Sequence, residues 1–235
     1  MISLSFLGIG AAFCPALGNT SACFQKDGTL YLLDCGSLVF AELLKRDVLR
    51  DAKRLVVFIT HAHADHTGSL GTLLSYCHHV HPLPVTVVHP DAALQTLLDA
   101  NGISRNRYVF CGVSSYRDAN VCAAFFPVPH TEKLACFGIT VGDGEETVYY
   151  SGDAARLPEP VWNDFLAGKI ARVYQDAALG AAANHPAHGS YDGFAAACPA
   201  ALKARFFPIH WDCAEEGDAI LRDGFGLAFC PPCRP

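Results

Sequence analysis

Thr60-His61-Ala62-His63-Ala64-Asp65-His66-Thr67-Gly68 packs three histidines and one aspartate into six residues. It follows Leu55-Val56-Val57-Phe58-Ile59, a continuous apolar run rich in β-branched residues that predicts a buried strand. A loop that leaves a strand at its carboxyl end and enters a helix can point alternating side chains into one cavity. Imidazole nitrogens and a carboxylate suit zinc, and also manganese or iron. A single histidine would more simply be a structural one; it is the density of the cluster and its place after a strand that point to metal.

Outward from this loop the chain alternates strand and helix signals. Residues 2–7 predict a strand followed by a Gly-rich loop. Residues 21–25 and 29–33 predict a hairpin around Asp27-Gly28, a turn pair that tolerates positive φ. A helix is expected over 37–49, with Leu38, Phe40, Leu43, Leu44 and Val48 available for its buried face. Further helices are expected over 69–79, 91–100 and 159–167, and from Tyr191 until Pro199 breaks the pattern. Strands are expected over 85–88, 121–127, 134–141, 146–151, 172–175 and 205–208, the last leading into His210. This mixture predicts a layered α/β protein, with residues 1–235 as one domain.

Half of the 235 residues are hydrophobic and 17% are charged, which excludes a disordered chain. The net charge of −6 argues against wrapping an extended nucleic acid, which needs clustered Lys and Arg. The apolar start lacks a positively charged leader and is interrupted by Gly8 and Gly10, so it is read as a strand and not a signal peptide. No apolar run reaches the roughly 18 residues of a membrane span. Eleven cysteines, an odd number without a regular framework, read as reduced thiols, so a cytoplasmic location is expected. Cys230 and Cys233 form a lone pair, too few ligands for a structural zinc.

The His61–His66 loop resembles the H-x-H-x-D-H signature of the metallo-β-lactamase fold, and further motifs follow in order. Asp34 in Leu32-Leu33-Asp34-Cys35-Gly36 is similar to the family's upstream acidic residue. His130 in Pro127-Val128-Pro129-His130, Asp153 in Ser151-Gly152-Asp153 and His210 in Pro208-Ile209-His210 are similar to its later ligands. The resemblance implies a four-layer αββα sandwich holding two divalent metal ions, zinc first, with manganese or iron also accommodated. It implies that His61, His63 and His130 hold one ion, that Asp65, His66 and His210 hold the other, and that Asp153 bridges them. A ligating His usually donates its other N–H to a carboxylate or carbonyl, and Asp34 is the candidate carboxylate.

Asp153 argues against β-lactamase activity, because true β-lactamases of this fold lack the bridging Asp. Only 25 residues follow His210, too few for the helical substrate domain of glyoxalase II-like thioesterases. Leu7-Gly8-Ile9-Gly10 and Gly18-Asn19-Thr20-Ser21 are similar to the first motif of the ribonuclease Z and cyclic-phosphate phosphodiesterase branch. That branch implies a hydroxide held between the metals that attacks phosphorus, with Asp65 orienting it. It also implies a further catalytic His before the last ligand strand. His188 fits that place, with His185 as the competing candidate. His130 and Asp153 are 23 residues apart, which leaves no room for the long arm of tRNA-processing relatives. The expected substrate is a small or cyclic phosphodiester or a nucleic-acid end; a homodimer is the assembly considered. The alternatives are a lactone, thioester or lactam hydrolase on the same site, or a weakly catalytic ligand-binding protein. Arg105, Arg107, Tyr108 and Arg117 read as a solvated loop, and the Lys45–Arg54 basic run as the wet face of a helix. His78, His79, His81 and His89 receive no site role.

Overall fold

A computed structural model describes residues 2–179 and 186–228. Their strands form two six-stranded mixed sheets. The first contains, in spatial order, β1 (Ser5–Gly8), β2 (Ser21–Lys26), β3 (Thr29–Leu33), β4 (Arg54–Phe58), β5 (Val85–Val88) and β6 (Val109–Cys111). The second contains β7 (Ser115–Arg117), β8 (Cys122–Pro127), β9 (Phe137–Gly142), β10 (Thr147–Tyr150), β11 (Arg172–Asp176) and β12 (Phe206–Ile209), again in chain order. Each sheet begins with antiparallel pairs and ends in parallel ones, β3 to β6 and β10 to β12. Parallel neighbours require crossovers. These carry α1 (Val39–Lys45), α2 (Ala64–Thr67), α3 (Leu70–His79) and α4 (Ala93–Ala100) on the first sheet, and α5 (Glu159–Leu166) and α6 (Tyr191–Ala197) on the second. Helix α7 (Glu216–Arg222) follows the last strand.

The two-residue side-chain period explains the layering. On β3, Tyr31 and Leu33 join Val56, Phe58, Val141 and Tyr149 in a core shared by both sheets. Leu30 and Leu32 face the other way and pack with Leu55, Val57, Leu43, Leu73 and Leu98 beneath the outer helices. Both faces of the central strands are therefore buried, which is why the 55–59 run shows no polar alternation. The result is the expected αββα sandwich. Phe58 joins the sheets, with its ring centroid 5.5 Å from Tyr116 and 6.3 Å from Phe125. Truncating such a fully buried ring to Ala should cost about 3–5 kcal/mol.

Several expectations need correction. The strand expected over 2–7 starts later and runs one residue further, as β1, and the helix expected over 37–49 contracts to α1. That helix buries Val39 and Leu43, whereas Leu38 and Leu44 are 37% and 41% exposed. The stretch 101–118 that carries Arg105, Arg107, Tyr108 and Arg117, read from sequence as a solvated loop, contains β6 and β7. Each has only three residues at a sheet edge, too short for a period-2 signal. Two of its arginines have protein partners: Arg105 pairs with Asp99, and Arg107 donates to Ser75 Oγ at 3.0 Å. Helix α7 was not anticipated. No described helix is long and apolar enough to cross a membrane. Among the described residues nine cysteines are free thiols. Cys230, Cys233 and His185 lie outside the described residues.

Candidate metal centre

Six segments of the two sheets end at one edge. Asp34 follows β3, the 60–66 loop follows β4, and His130 sits in the connection from β8 to β9. Asp153 follows β10, Asp176 closes β11, and His210 follows β12. Parallel pairing sets the level of the last three: Tyr150 lies opposite Tyr174, and Asp176 opposite Ile209. Gly152 makes the convergence tight. It sits at φ 56°, and a Cβ there would lie 2.6 Å from Thr60 Cβ. Only glycine lets the β10 exit press against the first residue of the histidine loop.

Asp34 is fully buried and holds that loop from beneath. Its Oδ1 accepts from Thr60 N at 2.8 Å, and its Oδ2 from Tyr150 OH at 3.0 Å. His66 Nδ1 donates to Oδ2 at 2.8 Å, which leaves His66 Nε2 directed into the site. Asp34 stands at φ 62° and His210 at φ 66°, left-handed conformations that non-glycine residues rarely adopt. Such backbone is characteristic of functional sites held in place by their surroundings. Two other imidazoles have a partner on the far nitrogen in the same way. His61 Nδ1 lies 3.1 Å from Thr60 Oγ1, and His130 Nδ1 donates to Ala187 O at 2.9 Å.

Their remaining nitrogens crowd together. His63 Nδ1 is 3.0 Å from His61 Nε2 and 3.2 Å from His130 Nε2. Neutral imidazoles oriented by their far N–H would present lone pairs to one another, an arrangement that a cation between them satisfies. His61, His63, His130 and Asp153 form one group able to hold a metal ion; Asp65, His66, Asp153 and His210 form a second. Asp153 belongs to both. Its Oδ2 faces His130 Nε2 at 3.6 Å and His61 Nε2 at 3.9 Å. Its Oδ1 faces His66 Nε2 at 2.9 Å and His210 Nε2 at 3.1 Å. Among the described residues, none of the buried atoms His66 Nε2, His210 Nε2 and Asp153 Oδ1 makes a well-aligned hydrogen bond, although the carboxylate oxygen faces both nitrogens. Orphaned polar atoms at one point fit a bound cation, since native interiors otherwise satisfy such groups.

Electrostatics follow the same layout. Burial, reinforced by the charge of His66, holds His61 well below the usual imidazole range. Burial opposes ionisation of Asp153, but the surrounding His210 and His66 outweigh it and hold its carboxyl well below the usual range.

A third group, Asp176, His188 and His210, adjoins these two. Asp176 is fully buried; its Oδ2 accepts from Ala154 N at 3.0 Å and from His188 Nδ1 at 2.8 Å. Burial disfavours charge on His188, yet the Asp176 hydrogen bond prevails and raises its pKa. The His188 ring stacks on His210 with centroids 5.0 Å apart and meets His130 edge-on at 5.1 Å. The structure thus brings His61, His63, Asp65, His66, His130, Asp153, His188 and His210 together at one cleft. Asp176 was missed at the sequence level: one aspartate at a strand end has no local motif. The available signal was positional, an acid closing the one parallel strand between those that lead to Asp153 and His210. His89, given no role, is buried and bonds Ile59 O at 2.8 Å through Nδ1, just before the histidine loop.

A family model described as Anti-Pycsar protein Apyc1 matches residues 2–228. The chain belongs to the Anti-Pycsar protein Apyc1 family. The Anti-Pycsar protein Apyc1 of Paenibacillus harenae is 34% identical over 67 residues. That alignment spans 28% of this chain and only 27% of the relative. Solved structures extend the likeness over the whole fold. The metallo-β-lactamase fold protein YhfI of Bacillus subtilis is similar with a TM-score of 0.74 and 15% identity, over 98% of this chain and 96% of its own. The short form of human tRNase Z is similar with a TM-score of 0.69 and 19% identity, over 98% and 97%. At these identities the likeness establishes the metallo-β-lactamase fold.

Proposed function

We propose that the protein is a metal-dependent phosphodiesterase that opens a small cyclic phosphodiester, specifically a nucleoside cyclic phosphate. The single observation that carries this reading is Asp153, which offers one carboxylate oxygen to each of two His/Asp groups. Family membership supports it. The cleft above the site, ≈ 1040 Å³, is large enough for a nucleotide and is open at the level of His63, Asp65 and His188.

In this reading His61, His63, His130 and Asp153 hold one divalent ion, and Asp65, His66, Asp153 and His210 hold the other. Zinc suits this donor set, and manganese or iron is tolerated. Bound there, the two ions acidify water and neutralise phosphoryl oxygens. The chain's own residues do the rest. Asp34, Thr60 and the Ala187 carbonyl fix the tautomers of His66, His61 and His130, so that each presents a lone pair inward. Asp65 orients the attacking water. The attacking water gives up one proton to solvent; His188, kept protonated by Asp176, donates its proton to the oxygen that leaves phosphorus, and the P–O bond breaks as the water oxygen joins. The free thiols support a reducing, cytoplasmic setting.

The test is metal analysis of the purified protein, followed by assays on 3′,5′-cyclic nucleotides, bis-p-nitrophenyl phosphate, lactones and thioesters. Ring opening of the cyclic nucleotides to monophosphates is expected. Turnover confined to carboxylic esters or thioesters would refute the reading.

A further inference from the structure

The polar floor of the cleft is accounted for by the site, but its rim is not. Phe13 is 98% exposed, more than any other large hydrophobic residue described. It lines the same cleft as Asp65 and His210, together with Pro15 and Leu38. Scattered apolar residues on a surface are ordinary. A whole aromatic ring in water on a firmly held loop, at the mouth of a site, is a different matter.

The base of the loop is firmly held. Ile9 N donates to Leu17 O at 3.0 Å and Gly10 N to Gly18 O at 3.2 Å, closing it. Ala11 N donates to Trp211 O at 2.8 Å, and Trp211 N to Ile9 O at 2.9 Å. The loop that carries Phe13 is therefore anchored, two residues before Phe13, to the residue that follows His210. Leu38 is tied to the histidine loop in the same manner. Ser37 Oγ donates to Ala64 O at 3.1 Å, and a Cβ on Gly36 would overlap the Asp65 backbone. Leu38 N donates to Asn19 Oδ1 at 2.9 Å, which also occupies the amide oxygen of this rim residue. The rim thus offers apolar surface at a fixed position relative to the floor.

We propose that Phe13, supported by Leu38 on the same rim, is the platform on which the base of the nucleoside cyclic phosphate stacks while its phosphate lies over the His/Asp floor. This rests on the phosphodiesterase reading above. A phosphodiester alone needs only the floor; the remaining flat, aromatic part of a nucleotide matches a ring face and asks for no hydrogen bonds from it.

Steady-state kinetics on metal-loaded wild type, Phe13→Ala and Phe13→Trp test this, with adenosine 3′,5′-cyclic phosphate and base-free ribose 3′,5′-cyclic phosphate as substrates. Phe13→Ala should raise KM for the nucleotide by about tenfold, the loss expected of one base–aromatic stack. Phe13→Trp should restore it, and the base-free substrate should not distinguish the three proteins. Unchanged KM for the nucleotide overturns the platform, as does an equal loss on both substrates. If that equal loss comes with a dimer-to-monomer shift in sedimentation, Phe13 is a contact between copies of the chain. Should wild type open neither substrate, the phosphodiesterase reading falls on its own. Calorimetric binding of the nucleotide to wild type and Phe13→Ala then still decides the platform, with equal affinity overturning it.

Discussion

The first sheet delivers its share of the site as one loop, His61 to His66, hung from the buried carboxylate of Asp34. The second delivers Asp153, Asp176 and His210 from three separate strand ends, and His130 from a connection. The first arrangement is centred on one hub: Thr60 and His66 converge on one side chain, which Tyr150 braces from the second sheet. The second is positional, because the parallel register of β10, β11 and β12 brings its residues level. Damage to the first half should therefore loosen metal through one hub. Damage to the second should act residue by residue, with metal binding and proton transfer separable.

The largest break is expected from Asp153→Ala, which removes the one residue shared by both groups. Metal content should fall for both ions and turnover should vanish, as read by elemental analysis alongside kcat. Next comes His188→Ala, with kcat lowered roughly 10²–10⁴-fold, the range for a lost general acid, while metal content stays at the wild-type level. Asp176→Asn should follow it in direction with a smaller loss. Asp34→Asn should sharpen the contrast, with metal affinity weakened about 10–100-fold by loss of an orienting carboxylate, measured by competition with a chelator. Gly152→Ala places a side chain against Thr60 in a left-handed conformation and should cost about 1–3 kcal/mol in denaturant unfolding.

The smallest effect lies away from the site. Burial opposes the charge of Asp118, but backbone bonds from Asn120 and Val121 and the hydroxyls of Tyr31 and Tyr116 hold its pKa below the ordinary 3.8. A carboxyl depressed in the folded state contributes stability above the unfolded pKa and loses it as pH falls through the folded one. The denaturation midpoint should therefore drop below about pH 4 in wild type, and drop less steeply in Asp118→Asn.

The same contrast governs what the sequence disclosed. The histidine loop, the β4 run and the Asp27-Gly28 hairpin were legible because neighbouring residues carry their cause. Of the buried face expected for the helix, Leu43 lies in the core and Phe40 and Val48 pack against it, whereas Leu38 and Leu44 are exposed and Val39 takes a core place instead. Strands β6 and β7 owe their existence to pairing partners, Val88 with Cys111 and Ser115 with Ala124, that no three-residue window contains. Asp176 became visible only once β11 was seated between β10 and β12, since its meaning is its neighbour His188.

The shared carboxylate of Asp153 has a consequence for the molecule as a whole. Its two oxygens face histidines drawn from both sheets, so a pair of ions held there would act as a clasp along one margin of the sandwich. Occupancy would then register in melting temperature as well as in turnover, rising with free metal by mass action. Starved of metal, the protein would lose cohesion along the same seam where it loses chemistry.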